Sequence, residues 1–133
     1  MILIAEDNVM IAMMMEDDVQ DAGHAVAGPV ATIDEALAIA REGGLTMALI
    51  DVDLLNGDSG IELAATLKAK HDLPCIFVTG QAAEAASHPD AALGVLSKPF
   101  DSGAIAQTVD AVLQKTRPEI AQLTWFDRHG STA

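Results

Sequence analysis

Four places in the chain carry residues whose chemistry could combine: Glu6-Asp7, Asp51, Thr79-Gly80 and Lys98-Pro99. Each lies at or just beyond the end of a short apolar run. If those runs are strands of one sheet, the three carboxylates, the hydroxyl and the ammonium converge. Two like charges 4 Å apart repel by about 4 kcal/mol at an effective dielectric of 20. A third carboxylate makes this worse, and one lysine offsets only part of it. Such a pocket takes up a proton or a hard cation, and oxygen ligands with water positions left open suit Mg²⁺. With the ion in place an incoming phosphoryl group is neutralised, and a carboxylate is left to act as nucleophile. Thr79 can donate to one phosphoryl oxygen and Lys98 can pair with another. Singly, each residue has an ordinary use as a cap, a turn or a solvated loop. Their order at four strand ends is what points to a shared site.

The elements that must position them follow from the apolar pattern. The runs are Ile2-Leu3-Ile4-Ala5, Ala25-Val26-Ala27, Met47-Ala48-Leu49-Ile50, Cys75-Ile76-Phe77-Val78 and Val95-Leu96. Unbroken apolar runs mark parallel strands covered on both faces. Between them lie segments of helical spacing. Ile11, Met15, Val19 and Ala22 form one stripe, and Ile105, Val109, Val112 and Leu113 form another. Thr32 with Glu35, and Ser59 with Glu62, fit the capping box. Gly43-Gly44 can close the second helix, Lys68 and Lys70 suit the negative end of the third, and Pro118 ends the fifth. Strand and helix alternating five times predict an open parallel α/β sheet with right-handed crossovers. In such sheets ligands bind outside the carboxyl ends of the strands, where strand order reverses. The segment 81–88 is Ala-rich but stopped by Pro89, too short to be stable without packing.

Composition narrows the function. The chain has 133 residues, enough for one domain. Half are apolar, only 3% are aromatic and none is tyrosine, so the core is aliphatic. Twenty acidic against seven basic residues give a net charge of −13. That balance argues against nucleic acid and against an anionic membrane surface. The single cysteine, Cys75, excludes a disulfide framework and reads as a buried, inert thiol. The opening apolar residues stop at Glu6-Asp7, too short for a signal peptide or a span, which predicts a cytoplasmic protein. Met1 opening the first strand suggests a natural start.

The set Glu6-Asp7, Asp51, Thr79 and Lys98-Pro99-Phe100 resembles the receiver domain of bacterial two-component response regulators. The likeness covers about residues 1–115, leaving 116–133 as a C-terminal tail without a separate output domain. It implies a flavodoxin-like three-layer α/β/α sandwich with five parallel strands in the order 2-1-3-4-5. It also implies phosphorelay signalling in which a sensor histidine kinase or histidine phosphotransfer protein passes a phosphoryl group to Asp51. Asp7 and Asp51 would then bind Mg²⁺ directly with the backbone carbonyl of Asp53, Glu6 acting through water. Thr79 and Lys98 complete the site, and the Lys98-Pro99 peptide is expected to be cis. Receivers usually carry an aromatic switch residue three positions before the lysine; here that position is Val95. The run Phe77-Val78-Thr79-Gly80 is similar to an atypical receiver branch with a Phe-Ala-Thr-Gly motif that lacks the switch. Ordering of segment 81–88 is the expected substitute.

Two other readings compete with this one. Asp51-Val52-Asp53-Leu54 resembles the nucleophile motif of haloacid-dehalogenase-type phosphatases, with Asp53 as general acid and base. That motif normally follows the first strand, whereas this one follows the third and Glu6-Asp7 precedes it. A phosphorylation-independent interaction module is disfavoured by the complete set of Asp7, Asp51, Thr79 and Lys98. The chain therefore reads as a signalling phosphoacceptor rather than an enzyme. Met10, Met13, Met14 and Met15 read as core and half-buried helix packing, with an adaptable partner surface as the alternative. His24, His71, His88 and His129 have no ligand spacing. Trp125-Phe126 could dock the tail on its own domain or mediate a homodimer.

Overall fold

A computed structural model describes residues 1–127. Five parallel strands form the sheet: β1 (Ile2–Ala5), β2 (Val26–Val30), β3 (Met47–Ile50), β4 (Cys75–Thr79) and β5 (Gly94–Ser97). The helices between and after them are α1 (Val9–Asp21), α2 (Ile33–Glu42), α3 (Gly60–His71), α4 (Ala82–Ala86) and α5 (Ala104–Gln114). A sixth strand, β6 (Leu123–Trp125), pairs antiparallel with β5, so the full order is β2-β1-β3-β4-β5-β6. The expected order 2-1-3-4-5 is its core, and the sixth strand is an addition to it. No helix among the described residues is long and apolar enough to cross a membrane.

The period-2 alternation of the strands divides the core in two. Leu3, Ala5, Ala48, Ile50, Cys75 and Phe77 face α2, α3 and α4. Ile2, Ile4, Met47, Leu49, Ile76 and Val78 face α1 and α5. Every residue of β1, β3 and β4 is buried, which is why their sequences show no polar break. The helix ends match their sequence signals. Glu35 N donates to Thr32 Oγ1 at 3.2 Å, and Glu62 N donates to Ser59 Oγ at 3.3 Å. The Glu35 carboxylate reaches back to Ala31 N at 3.1 Å. Gly43 caps α2 at φ 82°, and Lys68 and Lys70 lie in the last turn of α3.

Several expectations need correction. β2 runs on to Val30 through a cis Gly28–Pro29 peptide, beside a register shift in its pairing with β1. Ala12 joins Met15 and Val19 on the buried face of α1, while Ile11 is only half-buried. Leu113 is 36% exposed, so the core stripe of α5 ends at Val112. The helix stops at Gln114 with Lys115 in the left-handed region, three residues before Pro118. Of the methionine cluster only Met15 is core; Met10, Met13 and Met14 are 75%, 57% and 56% exposed. They lie on the helix flank turned from the sheet, which the clustering of four methionines within six residues obscured.

The described part of the tail packs on its own domain. Ile120 and Phe126 are buried on opposite sides of the sheet. Trp125 Nε1 donates to Pro118 O at 2.9 Å, and the Arg117 guanidinium lies 5.3 Å above the Trp125 ring. His24 pairs with Asp110 at 3.0 Å, and His71 is the last residue of α3. His129 lies outside the described residues.

Candidate functional site

The carboxyl ends of β1, β3, β4 and β5 lie side by side, flanking the β1–β3 pair where strand order reverses. The backbone ladder sets their register. Asp51 N donates to Ala5 O at 2.9 Å, so the first residue past β3 lies beside the end of β1. Lys98 N donates to Thr79 O at 3.0 Å, which fixes the lysine beside the end of β4. Residues separated by up to 92 positions therefore meet.

Carboxylate oxygens of Glu6, Asp7 and Asp51 lie within 4.8 Å of one another. Glu6 and Asp51 are buried at 3% and 7% exposure, and Asp7 is exposed, so the group has a closed side and an open one. On the closed side Lys98 Nζ donates to Glu6 Oε1 at 2.5 Å and to Asp51 Oδ2 at 2.7 Å. The other oxygens are met by backbone. Asn8 N donates to Glu6 Oε2 at 3.1 Å and Asp53 N to Asp51 Oδ1 at 3.2 Å. Among the described residues no buried side-chain nitrogen or oxygen lacks a partner. Thr79 is buried, and its Oγ1 accepts from Gln81 N at 3.0 Å. Its own proton stays available to a further acceptor.

Charge balance in this space follows from burial. Desolvation pushes the Glu6 carboxyl up to about 7, aided by the nearby Asp51 charge and opposed by the hydrogen bonds from Lys98 and Asn8. Burial alone would lower the Lys98 ammonium, but its hydrogen bonds to Asp51 and Glu6 outweigh that and raise it. Lysine thus stays charged between two acids, one of which readily keeps a proton. Three oxygen donors with one open side fit a hard divalent cation. Glu6, Asp7 and Asp51 are the side chains that would hold it. The exposed Asp53 side chain stands outside this group, and only its backbone faces Asp51.

Two residues of the site escaped the sequence reading. Asn8 caps α1, its side chain accepting from Ile11 N at 3.1 Å, while its amide orients Glu6. An Asn just ahead of a helical stripe is a cap signal that could have been read. Gly60 N donates to Val52 O at 2.7 Å, and a Cβ there would stand 1.8 Å from Asp51 O. Its proximity to Asp51 comes from the loop path and has no local signal. The Lys98–Pro99 peptide is cis, as expected. An apolar groove lined by Ile11, Met14, Pro99 and Phe100 opens beside Lys98.

Known proteins show the same framework. A family model described as the response regulator receiver domain matches residues 2–110. The phyllosphere-induced regulator PhyR of Methylorubrum extorquens is 33% identical over 117 residues, covering 84% of this chain and 43% of that protein. The chain thus spans less than half the length of that relative. The solution structure of the Erythrobacter litoralis PhyR response regulator REC domain superposes with a TM-score of 0.76 at 29% identity. That match covers 90% of this chain and 94% of the other. A Burkholderia pseudomallei response regulator with a phosphorylated aspartic acid, calcium ion and citrate superposes at 0.68 with 28% identity. It covers 85% of this chain and 65% of that one.

Proposed function

The chain belongs to the response regulator receiver domain family, and on that footing we propose that it is a Mg²⁺-dependent switch phosphorylated on Asp51. The single observation that carries this reading is the Asp51 carboxylate, bonded to Lys98 at 2.7 Å and grouped with the buried Glu6 and the exposed Asp7. A carboxylate oxygen of Asp51 forms a bond to phosphorus while the bond from phosphorus to the donor nitrogen breaks. The departing imidazole of a sensor histidine kinase or histidine phosphotransfer protein keeps the electron pair and takes a proton. Asp7 and Asp51, with the Asp53 carbonyl, would hold Mg²⁺, and Glu6 would act through water. The ion supplies positive charge against the incoming phosphoryl oxygens.

The protein's own groups do the rest. Lys98 holds Asp51 in place before transfer and offers its ammonium to a phosphoryl oxygen afterwards. Thr79, whose hydroxyl proton is uncommitted, donates to another. Val95 is buried in the sheet, so the position of the aromatic switch holds a small packed residue. The change at Asp51 is instead read through Thr79 and segment 81–88, whose first amide already bonds the Thr79 hydroxyl. The Burkholderia relative with its phosphorylated aspartic acid supports this chemistry by analogy. A cytoplasmic setting accompanies the role.

Incubation with acetyl phosphate and Mg²⁺ should add the mass of one phosphoryl group. The gain should vanish in Asp51→Asn and in EDTA. Label that persists in Asp51→Asn, or an unlabelled wild type, would end this reading. Steady hydrolysis of a small phosphate ester, lost in Asp53→Asn, would favour a phosphatase instead.

A further inference from the structure

The segment 97–101 carries Lys98 across the gap between β5 and α5. On its inner side Lys98 N is bonded to Thr79 O. On its outer side both flanking amides end on one residue of the tail. Ser97 N donates to Gln122 O at 2.9 Å, and Asp101 N donates to Gln122 Oε1 at 3.2 Å. The lysine is thus bracketed by two bonds to one residue of the tail.

Between these two amides the segment packs Phe100 against the apolar layer of α1 and α5. Gly103 precedes α5 without a side-chain cap, and the helix start meets the loop through one backbone bond, Ala104 N donating to Asp101 O at 3.1 Å. Lys98 reaches its carboxylates through a flexible four-carbon stem, and its two short bonds require a fixed backbone origin. Gln122 is well placed to supply one. It adopts φ 64°, a left-handed conformation where glycine or asparagine is favoured and other side chains are strained. A glutamine held there points to a use for its side chain. Covering the free edge of β5 explains β6 but not this bond. Strand pairing needs only the Gln122 carbonyl; the bond to Asp101 is made by the amide oxygen.

We propose that Gln122 is a positioning residue for Lys98, its carbonyl and side-chain oxygen clamping the backbone on either side of the lysine. The inference rests on the phosphoryl-accepting reading of the site. It makes the tail beyond α5 part of the phosphorylation machinery without contact with the phosphoryl group.

The test uses the 133-residue protein and two substitutions at one position. Gln122→Gly keeps the backbone carbonyl and relieves the turn but deletes the side-chain acceptor. Gln122→Glu keeps an acceptor oxygen. Phe126→Ala serves as a control that loosens the tail while leaving Gln122 intact. Three quantities are read: the maximal rate of uptake from acetyl phosphate, the Mg²⁺ concentration giving half that rate, and the Lys98 side-chain signal of ¹³C-lysine protein without metal. Gln122→Gly should slow uptake by about three- to tenfold, the size of one neutral hydrogen bond. Its Mg²⁺ requirement should stay unchanged and its Lys98 signal should shift. Gln122→Glu should recover most of the rate. Phe126→Ala should lower the melting temperature but hold the rate in the cold. An unchanged rate and Lys98 signal in Gln122→Gly would overturn the proposal. So would equal losses in Gln122→Glu and Gln122→Gly, or a rate in Phe126→Ala that falls in step with its melting temperature. If the unaltered protein takes up no phosphoryl group, the reading of Asp51 falls, and the Lys98 signal alone decides the role of Gln122.

Discussion

Two helices follow the two strands that deliver Thr79 and Lys98, and they are built very differently. α5 has 11 residues, six of them buried against α1 and the sheet. α4 has five residues, one of them buried, and no side-chain bond at its N-cap. Isolated helices of either length are unstable, so packing decides both. The side of the pocket that holds the lysine is therefore anchored in a broad apolar layer. The side that holds the threonine is closed by a single helical turn resting on Ala85. Regions with few buried apolar groups open at lower free-energy cost than the fold as a whole. Under the proposed phosphorylation of Asp51 this asymmetry would leave one wall fixed while the other reorganises.

The contrast can be broken by measurement. Ile105→Ala empties the core under α5 and should cost about 2–5 kcal/mol in urea unfolding. Ala85→Gly in α4 should cost only about 1 kcal/mol. Similar costs for the two would mean that α4 is as firmly held as α5.

The ground between the helices titrates. Glu6 has its carboxyl raised to about 7 in the folded protein, against 4.5 as its ordinary value. Below 4.5 the folded and unfolded chains both hold the proton, and the neutral group's contribution is fully present. As pH rises through that window the unfolded chain loses the proton first, so this contribution is lost and levels off above about 7. In EDTA, wild-type stability should therefore fall with pH relative to Glu6→Gln between these values. A flat difference would show that the buried acid is already ionised.

The smallest effect expected is one of exchange rather than stability. Beryllofluoride with Mg²⁺ should slow amide exchange across 81–88 and leave α5 unchanged. Equal protection of both helices would remove the division of labour.

Most of this architecture was legible because its signals are local. Unbroken runs such as Met47–Ile50 are buried on both faces, and the cap pairs Thr32–Glu35 and Ser59–Glu62 lie within one turn. The pocket was legible too, since Glu6, Asp51, Thr79 and Lys98 each lie at or just beyond the end of an apolar run. What escaped depends on neighbours distant in sequence. β6 has three residues with no period to read, and it exists because the edge of β5 is free to pair. Exposure of Met10, Met13 and Met14 was illegible because composition does not tell which flank of a helix meets the sheet. The role of Asn8 was available from its type and place, and was passed over.

Gly60 leaves room for no more than a hydrogen between α3 and the main chain of Asp51. In mechanical terms the seam is a joint without play. Any drift of the Asp51 peptide is handed straight to the start of α3, and a sideways push on that helix returns to Asp51 undamped. Even alanine would be a wedge there, so random replacement of this codon followed by selection for function should return glycine alone.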